Sequence, residues 1–292
     1  VYCPNRLFAQ SGPQGEILST LCMFPGADRR TGGIQTLGWM VWQIIQDLHD
    51  GPGSPALISY SPGPPSQAER LTGGVVATRT RRAAIQAAIT RPWTPTSIVV
   101  GHIGLLKLLP LVRAPKARIV LFLYGVEAWR RQSWITRFLL SKVTIFLSIS
   151  DHTWAKFAET NTEFQSSAHV TVHPGLGEPL VGPVVAPQKE PAALMIGRMD
   201  AEEDYKGHRE VLEAWPSVIK AHPKAQLWIV GEGSLKPQLL ALASRLGLAD
   251  KVIFWGRISE EEKADLLKRC RCLAMPSRGE GFGLVYLEAM RM

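Results

Sequence analysis

The chain lacks an apolar run of the length that a membrane span requires. A span needs about 18 residues free of charge, but Lys107, Arg113, Lys116 and Arg118 interrupt Ile98 to Leu123, and Arg137 and Lys142 interrupt the next stretch. A transmembrane helix is not expected. Cysteine is scarce: Cys3, Cys22, Cys270 and Cys272 form no CxxC pair and have no histidine at ligand spacing. Zinc is disfavoured, and reduced thiols in a cytosolic protein are expected. No charged start with an apolar core and a small-residue cleavage site marks a signal peptide. No GxxxxGK[ST] occurs, which excludes a P-loop NTPase at the level of motif. Aromatics do not interleave with Lys and Arg on a strand and no helix-turn-helix spacing is present, so nucleic acid is not an expected partner.

What is present is a globular composition. The 292 residues are 46% hydrophobic and 20% charged, which suits one large or two medium domains with real cores. The net charge of +8 is uneven: residues 1–180 hold 17 Lys and Arg against 10 acids, and residues 181–292 hold 16 against 15. Between Arg113 and Lys142 stand seven basic residues, a single acid, Glu127, and the tryptophans Trp129 and Trp134. Such a segment suits an anionic membrane surface or an acidic acceptor, or is only a set of helix-surface charges.

Short β-branched runs alternate with helical patterns. Strands are predicted at 17–23, 56–60, 97–101, 118–123, 143–149 and near 170–173, with helices at 34–49, 79–90, 103–112, 131–141 and 152–159. That rhythm specifies an α/β fold with a parallel sheet and helices on both faces. The segment 174–191 holds five prolines and three glycines and resets the pattern. An N-terminal domain over 1–178, a linker over 179–191 and a second Rossmann-like, doubly wound domain over 192–292 are expected, facing each other across a cleft. The second domain is predicted to carry strands at 192–196, 226–230, 252–255 and 271–275, helices at 206–221, 235–246 and 259–269, and a last helix opening near Leu284. The sequence starts at Val1 and stops at Met292 inside that helix, so a truncated second domain is expected.

Ligands of such sheets bind outside the carboxyl ends of the strands, and the polar motifs stand there. Gly197-Arg198 follows the 192–196 strand, and Lys206-Gly207-His208 opens the next helix. A guanidinium and an ammonium at a strand end and a helix start suit a diphosphate. Beside Asp200 to Asp204 they equally suit a solvated salt-bridge face. Pro276 to Leu284 precedes the last helix, with Glu280 before it and Glu288 inside it. Eight residues of helical rise span roughly 12 Å, the reach of a sugar nucleotide laid along the helix. Taken singly, Glu288 also reads as an exposed helix glutamate. His102 reads as a packed or edge histidine, or as a base; His208 as a helix-start residue. Gly231-Glu232-Gly233 fails the dinucleotide fingerprint because Lys236 stands at its third glycine.

Taken together, Gly197-Arg198 with Lys206-Gly207, Gly231-Glu232-Gly233, Phe254-Trp255-Gly256 and Pro276 to Met290 resemble the donor-binding domain of retaining GT-B glycosyltransferases, family 4. The resemblance is close over 192–291 and looser in the first half, through Gly32-Gly33-Ile34, Tyr124-Gly125-Val126-Glu127 and Ser148-Ile149-Ser150. It implies that Arg198 and Lys206 hold the donor diphosphate, with Gly32 and Gly33 approaching it from the first domain. It gives Glu280 to the transferred sugar and Glu288 to the ribose. Backbone groups of Gly281, Phe282, Gly283 and Leu284 would cradle sugar and phosphate, and Gly256 and Arg257 would lie beside the base. His102, Tyr124 and Glu127 fall on the acceptor side, although the family often has His where this chain has Tyr124. The family's GxPV strand and returning helix are not in this sequence.

The resemblance thus implies a retaining transferase moving a sugar from a nucleotide sugar to a saccharide or lipid-linked acceptor, in bacterial cell-surface polysaccharide or glycolipid synthesis. Such an enzyme would be cytoplasmic, or peripheral at the inner membrane face. Neither a cofactor nor a metal is expected, because no DxD or histidine-rich set stands at a strand end. Two alternatives remain open here: a sugar-nucleotide epimerase on the same fold, and a non-catalytic nucleotide-sugar binding module.

Overall fold

The computed structural model describes residues 20–26, 33–48, 55–60, 75–78, 80–90, 94–176 and 188–292. Gly32, Cys3 and most of the expected linker lie outside them. By its internal contacts the chain divides into two units, Val1–Gly175 and Leu176–Met292.

Unit 1 holds a parallel sheet of β1 (Thr20–Phe24), β2 (Ala56–Tyr60), β3 (Val75–Thr78), β4 (Ser97–Val100), β5 (Arg118–Leu123), β6 (Ile145–Ser148) and β7 (His169–Thr171). The order is β3-β2-β1-β4-β5-β6-β7. The chain therefore reverses its direction of travel between β1 and β4. Four consecutive residues of β1, Leu21 to Phe24, are buried, as in a strand covered on both faces. The helices are α1 (Gly33–Asp47), α2 (Arg81–Thr90), α3 (Trp134–Leu140) and α4 (Asp151–Thr160). Side chains of Ser133 and Ser150 accept from backbone N–H groups of Thr136 and Thr153, which sets where α3 and α4 begin.

Two expectations for unit 1 need correction. Strand β3 was not anticipated. It is a four-residue edge strand in a loop-like stretch of sequence, held by pairing with β2, and so carries too little pattern to read. The helix expected at 103–112 is instead a 3-10 helix, Ile103–Leu111, with Pro110 inside it. His102 caps its start by accepting from Gly104 N, and Pro110, near its end, has no N–H to continue either kind of helix.

Unit 2 holds β8 (Ala192–Ile196), β9 (Gln226–Val230), β10 (Val252–Gly256) and β11 (Cys272–Leu273), all parallel, in the order β10-β9-β8-β11. A 3-10 turn, Ala201–Lys206, precedes α5 (His208–Ala221), followed by α6 (Lys236–Arg245), α7 (Glu260–Arg269) and α8 (Leu284–Met290). The two-residue period of a strand sorts its side chains between two cores. Ala193, Met195, Leu227 and Ile229 join Leu212 and Trp215 of α5 and Leu239 and Leu242 of α6. Ala192, Leu194, Trp228 and Val230 join Leu266 and Leu267 of α7. A capping box of Ser259 and Glu262 starts α7.

Strand β11 is shorter than the predicted 271–275. The segment still runs beside β8, since Ala274 N donates to Leu194 O at 2.9 Å. The helix expected from 206 begins at His208, and Lys206 ends the 3-10 turn. Because α8 starts only at Leu284, the interval from Glu280 to Glu288 is half loop, and the span of a continuous helix does not apply to it.

Candidate functional site

In unit 2 the direction of travel reverses between β8 and β11, and the polar motifs follow these two strands. Such a switch point is where open α/β sheets bind ligands. Three strand ends meet there through backbone. Gly197 N donates to Val230 O at 3.0 Å, Gly231 N to Gly256 O at 2.8 Å and Met199 N to Glu232 O at 2.9 Å. Gly231, at φ 136°, is required here: a Cβ would lie 2.0 Å from Gly197 O. The Lys206 turn is seated in the same way. Gly207, at φ 85°, would drive a Cβ to 2.9 Å from Pro276 O, and Arg278 N donates to Tyr205 O at 2.9 Å. The loop after β11 is thereby fixed against the turn after β8.

This seating brings predicted residues together. Lys206 Nζ lies 3.1 Å from Glu280 Oε1, although 74 positions separate them. Lys206 is also 3.9 Å from Glu203 Oε2, and the other oxygen of Glu203 accepts from Arg198. Arg198 is 67% exposed at its side chain while Glu203 is 13% exposed, so the carboxylate is the covered member of the pair. Arg198, Glu203, Lys206 and Glu280 thus form one chain of ion pairs. Sequence reasoning named three of these residues and left Glu203 within an undifferentiated acidic run; its spacing of three from Lys206 was the available signal. Beside the chain, an open depression of about 350 Å³ is lined by Arg198, Asp200, Ala201, Glu202, Glu203 and Ser234.

Glu288 of α8 is not a free helix glutamate. It pairs with Lys263 of α7 at 3.0 Å, and Lys263 also meets Glu260 at 2.7 Å. Burial opposes the charge on Lys263, yet the two carboxylates hold its pKa above the ordinary lysine value. Gly256 is buried and a Cβ there would lie 2.7 Å from Glu232 Oε1, which Lys236 holds at 2.6 Å. Arg257 is exposed, Gly283 is the N-cap of α8, and Leu284 is its first residue. Gly281 and Phe282 lie half-buried in the bend before it.

His208, immediately after Gly207, is 1% exposed and its Nε2 has no hydrogen-bond partner. Burial, aided by the Lys206 charge, lowers its pKa to about 4. A group so placed is neutral at ordinary pH and carries no proton to a ligand.

In unit 1, His102 follows β4 and caps the 3-10 helix, its Nδ1 accepting from Gly104 N at 3.0 Å. The proton of the neutral ring is thus on Nε2. Burial lowers its pKa, opposed by Glu127. Glu127 Oε1 accepts from Tyr124 N at 2.7 Å and Gly125 N at 3.1 Å. The Tyr124 phenol is buried without a hydrogen-bond partner, and burial, then Glu127, pushes its pKa up. His102, Tyr124 and Glu127 therefore share one neighbourhood at the ends of β4 and β5. Gly33 is the exposed first residue of α1. Among the described residues, no three His, Cys, Asp or Glu side chains cluster as a metal site, and no helix is long and apolar enough to cross a membrane.

The family described as Glycosyl transferases group 1 matches residues 190–292, the part that carries this ion-pair chain. A D-inositol 3-phosphate glycosyltransferase of Segniliparus rotundus is 36% identical over 104 residues, 34% of this chain and 22% of its own length. A glycogen synthase of Mycobacterium tuberculosis is 30% identical over 161 residues, 54% of this chain and 37% of its own. The chain thus spans well under half the length of these curated relatives. In fold it is similar to sucrose-phosphate synthase from Thermosynechococcus elongatus, with a TM-score of 0.66 at 16% identity over 94% of this chain and 79% of that one. It is equally similar to the Anabaena protein HepE in complex with UDP-glucose, with a TM-score of 0.64 at 16% identity over 94% and 78%. The α/β fold with parallel sheets is that of GT-B glycosyltransferases. In sequence, unit 2 is similar to glycosyltransferases of group 1.

Proposed function

We propose that this chain is a retaining glycosyltransferase that moves a sugar from a nucleotide sugar to a saccharide or lipid-linked acceptor in bacterial cell-surface polysaccharide or glycolipid synthesis. The observation that carries the reading is the convergence of Arg198, Lys206 and Glu280 at the switch point of unit 2. Breaking the bond from an anomeric carbon to a diphosphate builds negative charge on the leaving oxygen, and preorganised donors aimed at that charge lower the barrier. Lys206, with three N–H donors, and Arg198, with a forked set, supply them. Glu280 accepts from hydroxyls of the transferred sugar, and Glu288 from the ribose while it keeps Lys263. Relatives named as glycosyltransferases over unit 2 support a sugar donor.

The reading assigns charge stabilisation to these two cations rather than to a metal. The test is incubation with a panel of nucleotide sugars, with and without candidate acceptors. Acceptor-dependent release of nucleoside diphosphate, retained anomeric configuration and a rate within about twofold after EDTA support the reading, since tenfold corresponds to about 1.4 kcal/mol of barrier. Donor turnover without acceptor to an epimer, binding alone, or loss by EDTA with rescue by Mn²⁺ overturns it.

The lipid-linked class of acceptor, and peripheral attachment at the cytoplasmic membrane face, are favoured by α3. Trp134 is 77%, Phe138 61% and Ile135 45% exposed on this one short helix. Arg130, Arg131 and Lys142 are exposed around it, Lys142 Nζ lies 5.1 Å from the Phe138 ring centroid, and no acid stands between Glu127 and Asp151. Aromatics favour the headgroup level, and each basic residue near an anionic leaflet is worth about 1 kcal/mol. Co-sedimentation with anionic but not neutral liposomes, lost at high salt, is expected. Equal, negligible binding to both at low salt leaves a soluble saccharide as the acceptor.

A further inference from the structure

We infer that Glu203 is a built-in counter-anion of the diphosphate clamp: it holds Arg198 and Lys206 when no donor is bound and must leave them when one binds. The inference rests on the donor site proposed above and adds to it a residue that sets donor affinity. Its starting point is a charge count. Arg198 and Lys206 carry two positive charges; Glu203, paired with both, and Glu280, paired with Lys206, carry two negative ones. The chain of ion pairs is neutral. Asp204, one residue on, is itself acidic, with its Oδ1 buried and without a hydrogen-bond partner, and His208 behind Lys206 is neutral, so neither offsets the two carboxylates. A diphosphate entering this cluster would find its cations already compensated and two carboxylates within reach of its oxygens.

One carboxylate has to withdraw, and the surroundings favour Glu203. Glu280 retains a use beside a bound sugar, whose hydroxyls donate to it. Glu203 has no such use: it lines the open depression together with Arg198, and both its oxygens are spent on the two cations. Its backbone already departs from the 3-10 turn that contains it, at φ −115° and ψ 22°. The turn is tied through its backbone, where Glu203 N donates to Asp200 O at 2.8 Å, Ala201 N to Ser234 Oγ at 3.0 Å and Ser234 N to Asp200 Oδ1 at 3.2 Å, and none of these bonds uses the Glu203 side chain. The Glu203 side chain can therefore swing toward the depression while Ala201 and Lys206 stay seated.

A carboxylate that competes with the ligand weakens binding, so removing its charge strengthens it. Calorimetric titration of the whole chain with UDP, GDP and ADP tests this directly. Glu203→Gln is expected to tighten the best-bound of these by about tenfold, the equivalent of about 1.4 kcal/mol. In an Arg198→Ala background the same substitution is expected to give less than threefold, because the cation that Glu203 holds most closely is gone and only Lys206, 3.9 Å from it, remains. Glu203→Asp, which shortens the reach to Arg198, is expected to fall between wild type and Glu203→Gln and serves if the glutamine variant does not fold. Unchanged or weaker binding in both Glu203 variants, while Arg198→Ala and Lys206→Ala still lose affinity, overturns the inference and leaves the donor site standing. Absence of nucleoside diphosphate binding in every form of the protein overturns both.

Discussion

The two sheets share a strand order and use it differently. Unit 1 runs β3-β2-β1-β4 and unit 2 runs β10-β9-β8-β11, so each reverses its direction of travel at an equivalent point. At the unit 2 reversal, charged side chains pair with one another across the loops: Arg198 with Glu203, and Lys206 with Glu280. In unit 1, Glu127 is folded back onto the N–H groups of Tyr124 and Gly125, and His102 is bound to Gly104 N. Side-chain pairs can exchange a partner for an anionic ligand. A carboxylate that satisfies buried backbone donors cannot leave without orphaning them. On the proposed function the charged pairs of unit 2 would meet the ligand, while the equivalent groups of unit 1 hold loop architecture.

The largest effect that would break this comparison is catalytic. Lys206→Ala and Arg198→Ala are each expected to lower turnover by roughly 10² to 10³, the scale of losing one preorganised donor, with the melting temperature of Arg198→Ala little changed because that side chain is 67% exposed. Normal turnover in both variants would remove the clamp.

Next comes pH. His208 has its pKa lowered to about 4 by burial, from 6.5 in the unfolded chain. Below 6.5 the unfolded state binds the proton and the folded state does not, so stability is fully present above that pH. It is lost progressively as pH falls to about 4, by about 3 kcal/mol. Urea melts between pH 7 and 4 should show this slope, and a His208→Gln variant should flatten it. An identical slope in both would mean that other groups drive acid unfolding.

The smallest effect tests unit 1. Glu127→Ala leaves Tyr124 N and Gly125 N without their acceptor, at a cost of about 2 kcal/mol, a drop in melting temperature of several degrees for a unit of this size. Affinity for nucleoside diphosphate is expected to stay unchanged. A loss of that affinity without a loss of stability would reverse the division of labour between the two reversal points.

Much of the fold was legible because strand burial writes itself locally. Runs such as Leu227 to Val230 and Leu121 to Leu123 are apolar at consecutive positions, and Ser133, Ser150 and Ser259 mark helix starts by their own hydrogen bonds. Strand β3 was not legible, since its pairing with β2 rather than its own four residues makes it a strand. Residues 103–112 misled because their apolar spacing suits an α-helix and a 3-10 helix alike. The site divides in the same way. Arg198, Lys206, Glu280 and Glu288 stood out by their position beside strands and helices, but Glu203 and Lys263 did not.

The sequence by itself determined the kind of each long element and set the polar motifs at strand ends, because hydrophobic period and caps act over a few residues. Only the tertiary structure decided which charges meet. Lys206 reaches Glu280 across 74 positions, and Lys263 reaches Glu288 across 25. The physical reason is the parallel order of the sheet. It sets β11 beside β8, and Gly207 lets the turn after one pack against the loop after the other, where a Cβ would fall 2.9 Å from Pro276 O.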